Sequence, residues 1–144
     1  MAELLDYGVK FNSCKIDLEI EKIEPKDETS VTFNVTLVSK YSTIKEKITC
    51  LKNDFLFMLE TTQDIINTEN PSFISTNEPG FFMEVTNAQK LENETLFSVL
   101  FVLDGGIFGP NQVSTDTGPA LYMMVTKSQF QTFKENLVSE LDSF

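Results

Sequence analysis

The sequence predicts an α+β domain: a mostly antiparallel sheet of about six or seven strands, a short mid-chain helix, and a C-terminal amphipathic helix packed on the sheet. Three observations carry this. Apolar and polar residues alternate with period two through the first third of the chain, an unbroken apolar run occupies residues 96–103, and the last fifteen or so residues carry one apolar stripe at helical spacing.

Along residues 13–20, Cys14, Ile16, Leu18 and Ile20 alternate with Lys15, Asp17 and Glu19, the pattern of a half-buried strand. A charged, proline-marked turn at Glu24-Pro25-Lys26-Asp27-Glu28 leads to Val31, Phe33, Val35 and Leu37, again alternating with polar residues, so the two runs form a hairpin. A third run places Ile44, Ile48 and Cys50 on one side; Glu46 breaks that inward set, which puts the strand at a sheet edge or a bulge. Asn53 or Asp54 can cap a short helix through Phe55, Leu56, Phe57, Met58, Leu59 and Glu60, a strand being the other reading of so short an apolar run, and residues 61–71 connect it onward, with helical potential around Ile65 and Ile66. Phe73-Ile74 and the run from Phe81 to Val85 read as strands flanking the turn Asn77-Glu78-Pro79-Gly80.

Residues 96–103 have the length and the β-branched and aromatic content of a central strand covered on both faces. Beyond it an irregular segment runs from Asp104 to Gly118 and exposes Ile107 and Phe108. A last strand at residues 121–125 leads into Thr126-Lys127-Ser128-Gln129, a capping box. The stripe Phe130, Phe133, Leu137, Val138, Leu141 and Phe144 follows and faces the sheet. The 144 residues contain no repeat or linker and make one domain, 1–144.

Eleven lysines, no arginine and 22 acidic residues give a net charge of −11, a field that repels phosphate backbones and anionic membranes and complements a basic protein. The same charge also serves solubility. The absence of histidine removes the usual general base, the nucleophilic triads and most zinc ligation. A carboxylate pair could still serve hydrolysis, yet no pair stands out among so many. Asp104-Gly105-Gly106 and Thr115-Asp116-Thr117-Gly118 lack the acidic spacing of a calcium loop, and Gly105-Gly106-Ile107-Phe108-Gly109 is followed by no phosphate-binding lysine. The expectation is therefore no enzyme, no cofactor and no metal. Cys14 and Cys50 show no metal or redox spacing and read as small core residues. The opening residues resemble no signal peptide, and the expected location is the cytoplasm.

Function is then expected at the acidic surface. Asp17, Glu19 and Glu21 share a strand face, and Glu135, Glu140 and Asp142 mark the solvent side of the last helix. The partner-binding candidates are Glu24, Asp27 and Glu28 in the first turn, with Asp104, Ile107, Phe108 and Asp116 in the long loop: carboxylates steer a basic partner and the aromatic anchors it.

The order of a Phe/Leu segment at residues 55–59, the run Glu78-Pro79-Gly80-Phe81-Phe82-Met83-Glu84-Val85, the apolar strand at 96–103, and a closing helix bearing Phe130, Phe133, Leu137, Leu141 and Phe144 resembles the small immunity proteins that bacteria pair with polymorphic toxins, in particular the WapI-type. The resemblance implies a cytosolic antidote that binds and neutralises a cognate toxin domain, often a nuclease and usually basic. Two other readings stand beside it: a phage or mobile-element accessory protein that inhibits a host protein, and a structural, oligomer-forming domain.

Overall fold

The computed structural model describes residues 1–8, 14–24, 30–75, 80–103, 107–108, 111–112 and 118–144. Among them the chain forms β1 (Ala2–Leu5), β2 (Lys15–Ile23), β3 (Ser30–Val38), β4 (Thr43–Leu51), α1 (Lys52–Thr68), β5 (Ser72–Ser75), β6 (Phe81–Lys90), β7 (Thr95–Leu103), β8 (Ile107–Phe108), β9 (Asn111–Gln112), β10 (Ala120–Thr126) and α2 (Lys127–Asp142). The α+β class holds, with the strands divided between two antiparallel four-stranded sheets ordered β1-β2-β3-β4 and β10-β7-β6-β5, plus the small β8-β9 hairpin.

The alternations place the first sheet as expected. Ile16, Leu18 and Ile20 of β2 and Val31, Phe33, Val35 and Leu37 of β3 are buried, in a register that pairs Leu18 with Val35 and Ile20 with Phe33. The register shifts between Ile20 and Lys22, a bulge that ends the strict alternation of β2. β4 lies at one end of the sheet, and Glu46 is exposed there as an edge strand requires. β1 was not foreseen. Four residues give too short a signal for periodicity, although Ala2 and Leu4 are fully buried opposite Leu18 and Ile16.

The largest departure is α1. It extends over 17 residues, through the segment expected to be a connection, because Phe55, Met58, Leu59, Thr62, Ile65 and Ile66 form one buried stripe at helical spacing. Neither Asn53 nor Asp54 caps it: Leu51, extended and without a side-chain hydrogen bond, holds that position, while Asp54 sits in the first turn near the positive end of the helix dipole. The C-terminus closes on Glu69, whose left-handed backbone (φ 57°) turns its N–H onto the Ile65 carbonyl at 2.8 Å.

α2 begins at the expected cap, with Thr126 Oγ1 accepting from the Gln129 N–H, but the return half of the capping box is not made, since Gln129 Oε1 accepts no hydrogen bond among the described residues. Phe130, Phe133 and Leu137 are buried and Val138 and Leu141 partly so, but the stripe stops there and Phe144 is exposed. Glu140 departs from the solvent-facing expectation: its Oε2 accepts from the Ile20 N–H at 2.9 Å, and it pairs with the Met1 amino group, tying α2 to the first sheet.

One continuous core joins both sheets and both helices. Phe33 meets Phe55 of α1 edge-on at 5.5 Å and Phe81 of β6 at 6.2 Å, and Phe81 stacks on Phe101 of β7 at 5.0 Å. The sheets also touch along their sides, where the Tyr7 N–H donates to the Met124 carbonyl (2.6 Å) and the Met124 N–H donates to Asp6 Oδ1 (2.9 Å).

Three elements meet at Glu69. Lys127 at the start of α2 (3.0 Å) and Lys90 at the end of β6 (3.4 Å) both approach its carboxylate. The Lys127 hydrogen bond first, then the Thr95 hydroxyl, hold the Glu69 pKa down to about 2 from an ordinary 4.5. A depressed carboxylate stabilises the fold fully above its unfolded value, and that contribution is lost as pH falls from 4.5 toward 2. Lys127→Met is therefore expected to be less stable than the parent at neutral pH, with the gap closing as pH falls from 4.5 through 2 in urea titrations. A gap of constant size across that range would remove the ion pair as its cause.

Candidate functional site

The outer faces of the two sheets differ in kind. On the first, acids and lysines answer one another: Lys15 at the start of β2 pairs with Glu3 of β1 and with Asp17 of its own strand, each at 3.0 Å, and Lys47 of β4 reaches Glu21 of β2 at 2.8 Å. The Glu3 and Asp17 carboxylates raise the Lys15 pKa, and Lys47, hydrogen-bonded to Glu21, lowers that of the carboxylate. The expected acidic face of β2 is thus largely compensated from within. This is the polar outer face normal for an antiparallel sheet with one side in water.

The second sheet turns an apolar face outward. With Phe81, Met83 and Val85 of β6 directed into the core, the alternation sends Phe82 and Glu84 to the other side. The register then builds rows across all four strands. Phe73, Glu84, Leu100 and Tyr122 stand in line, and Ser75, Phe82, Val102 and Ala120 form the next row. With strands about 4.8 Å apart, a row spans roughly 14 Å. β7 is buried on its core side and largely so on the other, where Leu96, Ser98 and Val102 are withdrawn from water by neighbouring side chains and Leu100 is half-buried. The periphery is not covered: Phe73 is 59% and Tyr122 64% exposed.

Phe73 stacks on Phe82, ring centroids 5.2 Å apart, and the Ser98 hydroxyl bonds to the Tyr122 hydroxyl at 2.5 Å, which holds the outer ring against the sheet. The face continues past β5 into a groove of about 330 Å³ between β5 and α1, lined by Phe57, Thr61, Asp64, Thr68, Pro71 and Phe73. Phe57 there is 66% exposed. Phe57 and Phe73 thus share the groove with most of their rings in water, and Tyr122 stands at the far end of the row. The carboxylates of Glu84 and Asp64 lie within this surface, and neither the two rows nor the groove lining contains a lysine.

Of the candidates taken from the sequence, Asp27, Glu28, Asp104 and Asp116 lie outside the described residues. Glu24 follows β2, where its carboxylate pairs with Lys22 at 2.8 Å. Ile107 and Phe108 are not in an irregular loop: they form β8 and pair with Gln112 and Asn111. The residues that sequence reasoning passed over are Phe57, Phe73, Phe82 and Tyr122. Their signal was apolar character out of phase, Phe57 off the helical stripe of α1 and Phe82 between two inward residues of β6. Without the register this reads as surplus core material.

No protein-family model, no curated protein and no solved structure matches the chain. Among the described residues, no helix is long and apolar enough to cross a membrane.

Proposed function

We propose that the protein is an immunity-type antidote: it binds a basic toxin domain and neutralises it by covering it, without catalysing a reaction on it. The observation that carries the reading is the outward apolar face of the second sheet, with Phe57, Phe73 and Tyr122 in water and carboxylates but no lysine among them. Rigid aromatics supply contact area at low entropic cost and serve as anchors, while the carboxylates favour a cationic partner. A second copy of the chain is a poor occupant, since two bodies of charge −11 repel before they meet. The resemblance to WapI-type immunity proteins points the same way.

Co-expression with the C-terminal domain encoded by the reading frame immediately upstream tests the proposal. Growth rescue, together with a stable complex of the two purified proteins, is the expected result; a domain that kills cells equally well in the presence of this chain refutes it. Association with that domain is expected to slow about tenfold between roughly 0.05 and 0.5 M salt, with dissociation little changed. An association rate indifferent to salt would show that the charge plays no part in the encounter.

A further inference from the structure

Two four-stranded sheets have four outer edges, and among the described residues three of them are charged or at least partly engaged. β1 and β10 flank one another through the bonds joining Asp6 and Tyr7 to Met124. β4 carries Lys45, Glu46 and Lys47 at its centre, all exposed, with Glu46 on the side that would otherwise face the core. Charges on an edge, above all one directed inward, are how sheets prevent another strand from adding to them. β5 carries no charge: its residues Ser72, Phe73, Ile74 and Ser75 are all uncharged, and it is limited only by its shortness, by Pro71 before it and by α1 alongside. It is also where the exposed aromatics and the α1 groove converge, so this uncharged edge lies within the candidate surface.

We infer that β5 is a docking edge, to which a basic partner adds one extended segment as a fifth strand of the second sheet. The inference rests on the antidote reading for the partner's basic character. Main-chain hydrogen bonds to β5 would supply register-independent affinity. Alternate side chains of the added strand fall on opposite faces. One set meets Phe73 and Phe82, and the other enters the groove beside Phe57 and Asp64, where a lysine or arginine finds a carboxylate. The occupant is thus a strand alternating cationic with small apolar residues. An acidic or helical segment fits neither the charge nor the edge.

Amide hydrogen exchange on the whole protein tests this, with a synthetic peptide of about eight residues alternating lysine and valine as the probe at about 1 mM. The amides of β5 that point away from β6 are expected to exchange at least fivefold more slowly with this peptide, and unchanged with its glutamate counterpart. Phe73→Lys, which places on β5 the kind of charge that guards β4, should weaken peptide binding tenfold or more; Tyr41→Lys, at a position 89% exposed in the turn between β3 and β4, should not. Phe73 is mostly in water, and an unchanged thermal midpoint in the variant separates lost binding from lost fold. Protection elsewhere, or none at β5, overturns the docking edge and leaves the antidote reading standing. Failed growth rescue overturns that reading, and β5 protection by the peptide would then survive as a property of the edge alone.

Discussion

Phe33→Ala is expected to destabilise the fold by about 3–5 kcal/mol, a large part of the margin available to a domain of this size. Phe33 is fully buried in the middle strands of the first sheet, and its ring is where that sheet touches both α1, through Phe55, and the second sheet, through Phe81. Truncation to Cβ removes the apolar burial, two edge-on aromatic contacts and the support beneath the Phe81–Phe101 stack. The cavity would open where three elements converge, so collapse of one wall cannot fill it without disturbing the others. The thermal midpoint should fall by about 10 °C or more. Phe33→Leu, which keeps most of the volume, should lose well under half as much. Equal losses in the two variants would mean that the ring contacts do not join the sheets.

Phe57→Ala combined with Phe82→Ala is expected to do the reverse: to lower affinity for the cognate domain by two to three orders of magnitude while leaving the folded state intact, at about 2 kcal/mol per anchoring aromatic. Phe57 is mostly exposed on α1, and Phe82 lies on the outer side of β6 stacked on Phe73, so neither fills the core. The measurement is the dissociation constant by calorimetry beside a thermal melt of each variant. Tyr41→Ala serves as the control, because Tyr41 is as exposed as a residue can be yet belongs to the turn between β3 and β4. Full affinity in the double variant would remove the second sheet's outer face as the binding surface.

These two substitutions involve the same residue type, and composition alone does not tell them apart. Thirteen phenylalanines read from the sequence as ample core material. Six of them, Phe33, Phe55, Phe81, Phe97, Phe101 and Phe130, are among the largest fully buried side chains, and periodicity identified most of these correctly. Strict alternation located β2 and β3, and the stripe from Phe130 located α2 with its Thr126 cap, because each signal repeats over seven or more residues. α1 was cut short because its second half, with Thr61, Thr62, Gln63, Asp64, Asn67 and Thr68, is polar in composition. Only Thr62, Ile65 and Ile66 face inward, with the Thr62 hydroxyl satisfied by the Met58 carbonyl at 2.8 Å.

The candidate surface was less legible than the fold. Charge suggested a basic partner but pointed to turns and loops, whereas acids of β2 are answered within the sheet, Asp17 by Lys15 nearby and Glu21 by Lys47 on a different strand far away in sequence. A row such as Phe73, Glu84, Leu100 and Tyr122 draws one residue from each of four strands. Local patterning, alternation and caps were enough to establish an α+β chain with a C-terminal amphipathic helix, since these depend on neighbours a few residues apart. Which apolar side chains are core and which are surface was settled only by sheet register and by where the helices pack. A residue's exposure is set by what lies across from it, and across a sheet that is a partner dozens of residues away.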